Sequence, residues 1–445
     1  MRGNLAGAGS FRGLKIVGVL LVGLLAGVLL VGVMLAGGRS VGAQEADSSN
    51  NPRDLDKGCK AHRVPVDITG TEYEIYGELC LPDGGQTTPK TVQLLLHGIT
   101  YGTYYWDFPF KSKKYSYVDY ANRKGYATFN IDRIGIGRSD HPPSAQVTLD
   151  TNAMVASQLM EKLRKGDIDK KKFKFVILVG HSYGSATSWL AQSEHDAGTP
   201  GYPAGADALI STGWGHRLQS EPVQRFFSEQ IVAETDDKFA NDGRTYDPGY
   251  FTPSPPPYLL DPYADNEREK DYLYFLGEDI YDPGSATGYE DDNDPSDDNV
   301  TQKVLALDSK YKQTVTQEEL STFQNRNFDG TTESIEVPVF LINGTEELFF
   351  CGDELVTGKN GNPSTPETEP GYYCGSGKDL TEFEGQFFEE AACFKARIVP
   401  DAGHDLNLHK NARTTYQTAE RFADMAVGPN GGRIDRYQKK KCAAG

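Results

Sequence analysis

A mostly parallel β-sheet with helices on both faces and a large inserted cap is the α/β architecture this sequence predicts. Three observations lead there. Short, nearly continuous apolar runs (Thr91–Leu96, Tyr126–Ile131, Phe173–Gly180) alternate with helical stretches, the pattern of a buried parallel sheet. The third run passes through Gly180-His181-Ser182-Tyr183-Gly184 into Ser185–Gln192, so strand, Gly-x-Ser-x-Gly turn and helix follow in succession. Between about residues 214 and 335 the alternation breaks into prolines, tyrosines and acids, then resumes at Val337–Ile342.

Taken in order, residues 1–43 read as a targeting segment. Arg2, Arg12 and Lys15 precede the uncharged stretch Ile16–Ala36, and Val41-Gly42-Ala43 offers the small residues of a cleavage site. Cleavage after Ala43 is the expected outcome. An uncleaved anchor is the alternative, because the stretch approaches the roughly 20 residues that span a bilayer. Either way the remainder is expected outside the cytoplasm, secreted or membrane-anchored. Val64–Ile68 and Glu72–Leu81 read as two strands about a turn at Gly70, and Tyr117–Lys124 as a helix stopped by Gly125. Asn152–Leu163 carries helical apolar spacing, and Ala206–Ile210 is a further strand. The core, read as one domain, spans 55–213 and 336–430, with 214–335 as the cap, including a helix over Glu267–Leu276. A second insertion, Cys351–Cys393, precedes the last strand, Phe394–Val399, and Asn411–Val427 closes the chain as an amphipathic helix.

The 445 residues carry a formal charge of −18, which argues against a nucleic-acid partner. Residues 229–300 hold 20 acids against 4 bases, so nearly all of that charge sits in the cap. The run Asp291–Asp298 lacks the glycine of a calcium loop and reads as solvated surface. Six cysteines (Cys59, Cys80, Cys351, Cys374, Cys393, Cys442) fit disulfides in an oxidising compartment, with Cys59–Cys80 the easiest pairing. None forms Cys-x-x-Cys, so a zinc site is not expected. The expected chemistry calls for no metal or cofactor.

A serine hydroxyl becomes a useful nucleophile only when a base removes its proton and a third group orients that base. Ser182 sits in the glycine-framed turn; a bare helix N-cap is its ordinary alternative. His404 follows the last strand in Gly403-His404-Asp405, with His409 as runner-up. The acid belongs after the preceding strand, in Gly344-Thr345-Glu346-Glu347. Glu347 is the first choice, with Asp353 and Glu346 behind it.

His97-Gly98, Asp132-Arg-x-Gly-x-Gly-x-Ser139, Gly180-x-Ser-x-Gly184, Gly344-x-x-Glu347 and Gly403-His404 together resemble the α/β-hydrolase superfamily over most of residues 60–213 and 336–427. The resemblance implies Ser182 as nucleophile, His404 as base, and backbone N–H groups of Ile99 and Tyr183 as the oxyanion hole. It departs from the commonest pattern at the acid, where Glu347 replaces Asp. His97 and His181 are expected to be structural, and Asp132 and Arg133 to hold the oxyanion loop. Tyr101 and Trp106, with Tyr104, Tyr105 and Phe108, either line the substrate pocket or pack the cap on the core. The expected activity is a serine hydrolase acting on a small-molecule ester through an acyl-enzyme. Amide cleavage by the same triad, acyl transfer or lyase chemistry, and a non-catalytic binding protein on this scaffold are the alternatives.

Overall fold

The computed structural model describes residues 58–85, 88–218, 231–233, 239, 244, 247–253, 300–347, 349–351 and 375–431. The segment 1–43, Glu267–Leu276, Asp291–Asp298, Asp353, Cys374 and Cys442 lie outside them. Among the described residues no helix is long and apolar enough to cross a membrane.

Eight strands form the main sheet: β1 (Cys59–Ile68), β2 (Thr71–Cys80), β3 (Thr91–Leu96), β4 (Ala127–Ile131), β5 (Phe175–His181), β6 (Ala208–Thr212), β10 (Val339–Glu346) and β11 (Phe394–Gly403). Their order is β1-β2-β4-β3-β5-β6-β10-β11. Pairing is antiparallel for β1/β2 and β2/β4 and parallel from β4 through β11. The helices are α1 (Ser112–Tyr115), α2 (Tyr117–Arg123), α3 (Leu149–Lys165), α4 (Tyr183–Asp196), α5 (Gln302–Tyr311), α6 (Gln317–Gln324), α7 (Phe328–Thr332), α8 (Gly377–Gly385) and α9 (Ala412–Ala426).

Local chemistry explains where these elements start and stop. Every residue of β3 is buried, because it is a central strand covered on both faces. The β1/β2 hairpin runs further than its apolar pattern suggests, as far as Cys59 opposite Cys80, and those two cysteines form the expected disulfide. Cys351 and Cys393 each take part in a disulfide as well, and not with one another. Helix α3 begins three residues before the first one expected. The Thr148 hydroxyl accepts from the Thr151 N–H and Thr151 answers on the Thr148 N–H, a capping box. Gly166 ends it in the left-handed conformation. On α9 the buried residues Ala412, Thr415, Tyr416, Ala419, Phe422, Ala423 and Ala426 recur at helical spacing and face the sheet side.

Between β6 and β10 the chain forms a separate antiparallel sheet of β7 (Ile231–Ala233), β8 (Tyr250–Pro253) and β9 (Val315–Thr316), together with α5, α6 and α7. It is fastened to loops of the main sheet. The Gln313 N–H donates to the Thr100 carbonyl (2.7 Å), the Thr316 hydroxyl to the Val147 carbonyl (2.7 Å), and the Tyr250 hydroxyl to the Pro142 carbonyl (2.8 Å).

One core group is out of keeping with its surroundings. Glu420 on α9 is buried against β3, where its Oε1 accepts from the Gln93 side-chain amide at 2.8 Å. Burial raises its pKa to about 7, against the pull of hydrogen bonds from Gln93 and Tyr117. Between the ordinary glutamate value and pH 7 the folded chain therefore binds more protons than the unfolded one, so stability falls as pH rises through that window. Glu420→Gln is expected to be more stable than the wild type at pH 8, by up to roughly 3 kcal/mol. The advantage should vanish near pH 4.5. Chemical denaturation at the two pH values measures it, and an equal effect at both would refute the assignment.

Candidate active site

The groups singled out from the sequence all lie beyond the carboxyl ends of strands: His97-Gly98 after β3, Asp132-Arg133 after β4, Ser182 after β5, Glu347 after β10 and His404 after β11. That edge is where open parallel sheets place their ligands.

Ser182 stands between β5 and α4 with φ 50° and ψ −121°. A non-glycine residue held there costs on the order of 1–3 kcal/mol, so its surroundings must impose it. Its N–H donates to the Thr212 carbonyl on β6 (2.8 Å), and its carbonyl accepts from the Ser185 N–H (2.7 Å). The flanking glycines are required for space. A β-carbon on Gly180 would lie 2.4 Å from the Gly184 carbonyl oxygen, and one on Gly184 would lie 2.2 Å from that of Leu96. The hydroxyl makes no capping hydrogen bond to α4, which removes the N-cap reading. Ser182 is half-buried among fully buried neighbours.

Across the same edge, Nδ1 of His404 lies 2.9 Å from both Oε1 and Oε2 of Glu347. Glu347 is fully buried, and its Oε1 also accepts from the Phe349 N–H at 3.1 Å. Glu346 is the last residue of β10, paired in register with Gly403, so Glu347 is the acid that reaches the imidazole. Phe349 packs edge-on to the His404 ring at 4.8 Å. Burial of the ring opposes its charged form. The Glu347 carboxylate, through charge and hydrogen bond, and the nearby Asp405 outweigh that and hold the His404 pKa above the ordinary imidazole value.

A second imidazole–carboxylate pair stands beside the first. His181, the residue before Ser182, has Nε2 3.0 Å from Oδ1 of Asp405, the residue after His404. Both side chains are fully buried, Tyr105 stacks on the His181 ring at 4.2 Å, and the two histidine rings are 5.0 Å apart. Burial holds the His181 pKa below its ordinary value despite Asp405. His181 is thus a structural histidine, as expected, with a partner that sequence spacing did not suggest. Ligand atoms of His181, His404 and Asp405 converge within 4.8 Å, but His181 Nε2 and His404 Nδ1 are engaged with Asp405 and Glu347. His409, the runner-up to His404, instead takes the Gly403 N–H on its Nε2 at 3.0 Å.

The Gly98–Ile99 peptide lies directly against the elbow: a β-carbon on Gly98 would sit 3.2 Å from Cβ of Ser182. Among the described residues, the backbone N–H groups of Ile99 and Tyr183 have no acceptor. His97 is buried, and burial together with the Arg133 charge lowers its pKa to about 3, so it is neutral. Its Nε2 accepts the Arg133 N–H (3.1 Å), which leaves Nδ1 to donate to the Gly98 carbonyl (2.8 Å). Asp132 accepts from the Thr103 N–H (2.7 Å) and the Arg138 N–H (3.0 Å), holding the next stretch of the same loop. His97, Asp132 and Arg133 therefore grip the loop, as their positions in sequence predicted.

The aromatic residues of that loop divide. Tyr101 is buried with its ring 6.3 Å from that of His181. Tyr104 meets Tyr311 of α5 at 5.8 Å, joining the loop to the inserted segment. Trp106, expected either at the substrate pocket or in packing, is only 1% exposed and packs between Tyr105 and Tyr117 at 5.1 and 5.2 Å. Its ring faces α2 and serves the core.

A further hydroxyl–imidazole–carboxylate row went unnoticed in the sequence. His216 Nδ1 is 2.5 Å from Glu384 Oε2, and its Nε2 is 2.7 Å from the Thr332 hydroxyl. The three side chains are buried, and the Thr332 hydroxyl lies 3.0 Å from the Phe387 carbonyl. With no solvent face, the row fastens the loop after β6 to α7 and α8.

Gly184→Ala drives a β-carbon into backbone that cannot rotate away, and a cost of about 3 kcal/mol or more is expected. Gly330→Ala, on an exposed turn of α7 with only the Asn327 amide 3.6 Å from the new carbon, should leave thermal stability unchanged or slightly raised. Comparable melting temperatures for the two variants would contradict the close approach.

Residues 93–415 match the alpha/beta hydrolase family. Similar solved structures include the carboxylesterase CesB (YbfK) from Bacillus subtilis, at 14% identity and TM-score 0.44, covering 82% of this chain and 92% of that one. A bromoperoxidase from Bacillus anthracis is 16% identical with TM-score 0.43, covering 82% and 100%. The epoxide hydrolase CorEH is 14% identical with TM-score 0.42, covering 82% and 98%. No curated protein matches the sequence. The family match spans more than half of the 445 residues, on a sheet of the expected topology, and the chain belongs to the α/β-hydrolase family.

Proposed function

We propose that this chain is a serine hydrolase that cleaves carboxylic esters through an acyl-enzyme, exported from the cytoplasm by its N-terminal segment. The observation that carries the reading is that two groups occur at one sheet edge. Ser182 sits on a positive-φ elbow with its hydroxyl unused by the helix, and His404 is held by Glu347 through Nδ1. His404 takes the Ser182 proton as Oγ attacks the ester carbonyl carbon, and Glu347 stabilises the imidazolium. The Ile99 and Tyr183 N–H groups receive the developing oxyanion, commonly the largest single contribution to acyl transfer. Collapse expels the alcohol, which takes the proton from His404. Water, activated by the same imidazole, then releases the acid and restores Ser182. Tyr101, whose ring lies 6.3 Å from that of His181, is proposed to border the substrate. The segment between β6 and β10 acts as the cap, and its surplus of acids favours neutral or cationic esters over anionic ones. The Cys59–Cys80 disulfide accords with an oxidising compartment.

A fluorophosphonate should label the wild type, and Ser182→Ala should abolish labelling; persistent labelling in that variant would assign the nucleophile elsewhere. A panel of neutral and anionic p-nitrophenyl esters with matched anilides separates ester from amide cleavage, and turnover of neither would leave only a binding scaffold.

The acid is tested through pH. His404 must be neutral to act as a base, and its raised pKa places the acid limb of kcat/KM above the ordinary imidazole value. Glu347→Gln removes the charge responsible, so the limb should move to lower pH while the plateau drops by on the order of 10³–10⁴-fold. A limb that stays in place would show that Glu347 does not act on the base.

A further inference from the structure

We propose that Glu319, on helix α6 of the inserted segment, is a positioning residue for the oxyanion hole and acts through Arg133, so that docking of the cap and acyl transfer are coupled. The inference rests on the serine-hydrolase reading above and extends it to a residue outside the triad.

Arg133 touches both halves of the hole. Its Nη2 donates to the Gly98 carbonyl at 3.4 Å, and its guanidinium lies 4.6 Å over the Tyr183 ring. The Gly98 carbonyl and the Ile99 N–H belong to one planar peptide, so a grip on the oxygen fixes the direction in which the N–H points. His97 holds the same oxygen from Nδ1 at 2.8 Å, and the Arg133 backbone N–H sets the His97 tautomer. The arginine thus aims one donor directly and through His97, and packs over the residue that carries the other.

What aims the arginine comes from 186 residues away. Arg133 Nη1 bonds to Glu319 Oε1, and both side chains are almost completely shielded from solvent. The same Oε1 accepts from the Asn152 amide (3.1 Å), and Glu319 Oε2 accepts from the Thr316 N–H (3.0 Å), closing the capping box of α6. The carboxylate is therefore fixed by the first turn of its own helix, and that turn is seated on the core by the Thr316 hydroxyl on the Val147 carbonyl. Among the described residues Glu319 is the only carboxylate bonded to this guanidinium. Without it, a buried cation would be left with one amide oxygen and the Gly98 carbonyl as acceptors, and leaving one partner of such a pair alone is strongly unfavourable. The guanidinium would then shift toward other acceptors or water, releasing the Gly98–Ile99 peptide.

A purely structural salt bridge would also weaken the fold when broken, so the test must read the oxyanion itself. A p-nitrophenyl ester is compared with its thiono analogue, whose sulfur is a poor acceptor for hydrogen bonds from the hole. In Glu319→Gln, kcat on the oxo ester should fall about 10- to 100-fold, less than or comparable to losing one donor outright, with KM changed by no more than about 2-fold. The thiono rate should hardly change, so the oxo-to-thiono ratio collapses. Arg133→Lys should give the same collapse, and the double variant should be no worse than either single one. If Glu319→Gln does not fold, Glu319→Asp, which keeps the charge but withdraws it by one methylene, should lower the ratio in the same direction. An unchanged ratio in a folded variant, or oxo and thiono rates falling together, overturns the proposal. A wild type that neither takes the fluorophosphonate label nor turns over the ester is a different result, which removes the serine-hydrolase reading and this coupling with it.

Discussion

The site depends first on a place where there is no room. The start of α4 lies so close to the end of β3 that the backbone around Gly184 is nearly in contact with the Leu96 and His97 carbonyls, while Gly180 meets the same helical turn from the other side. A strand can turn into a helix in that space only if one residue takes a backbone conformation foreign to L-amino acids, and Ser182 takes it. The strain is localised, whereas the packing that enforces it is spread over buried strands on both sides. This is the usual arrangement when a fold presents a reactive side chain in a fixed direction. The positive end of α4 points at the same spot.

Around that elbow the molecule spends its buried charge on joining loops. His404 meets Glu347 across 57 residues, His181 meets Asp405 across 224, and Arg133 meets Glu319 across 186. Each pair brings two ionisable groups out of water, which contributes little net stability but makes any partial arrangement costly. The consequence is specificity of position. The His181–Asp405 pair is instructive because its members are the chain neighbours of Ser182 and His404, so one hydrogen bond of 3.0 Å sets how far apart the two functional loops can drift. Asp132, held by the Thr103 and Arg138 N–H groups, does the same for the loop that carries Ile99.

Much of this could be read along the chain because it is written in short-range terms. The fully buried pattern of β3, the glycines two before and two after Ser182, and the position of His404 just past the last strand are local facts with local causes. Helix ends were less legible. The start of α3 is set by a threonine pair that looks like any other polar dipeptide until its hydroxyls are seen to exchange hydrogen bonds with the backbone. Trp106 is open between two readings along the chain. Its place after His97-Gly98 allows a substrate wall or packing, and its ring contacts are with Tyr105 and Tyr117.

By itself, the order of residues determined the architecture, the elbow, the candidate base and the short list of candidate acids, because each follows from spacing, backbone freedom and side-chain chemistry over a few residues. Glu347 is already the first choice along the chain; the structure adds that β10 ends at Glu346, one residue before it, and that the Glu347 carboxylate lies 2.9 Å from His404 Nδ1. Asp405 and Glu319 could be assigned partners only in three dimensions. Coulombic and hydrogen-bond energies depend on separation in space, and a chain of this length brings together residues whose distance along it carries no information about that separation.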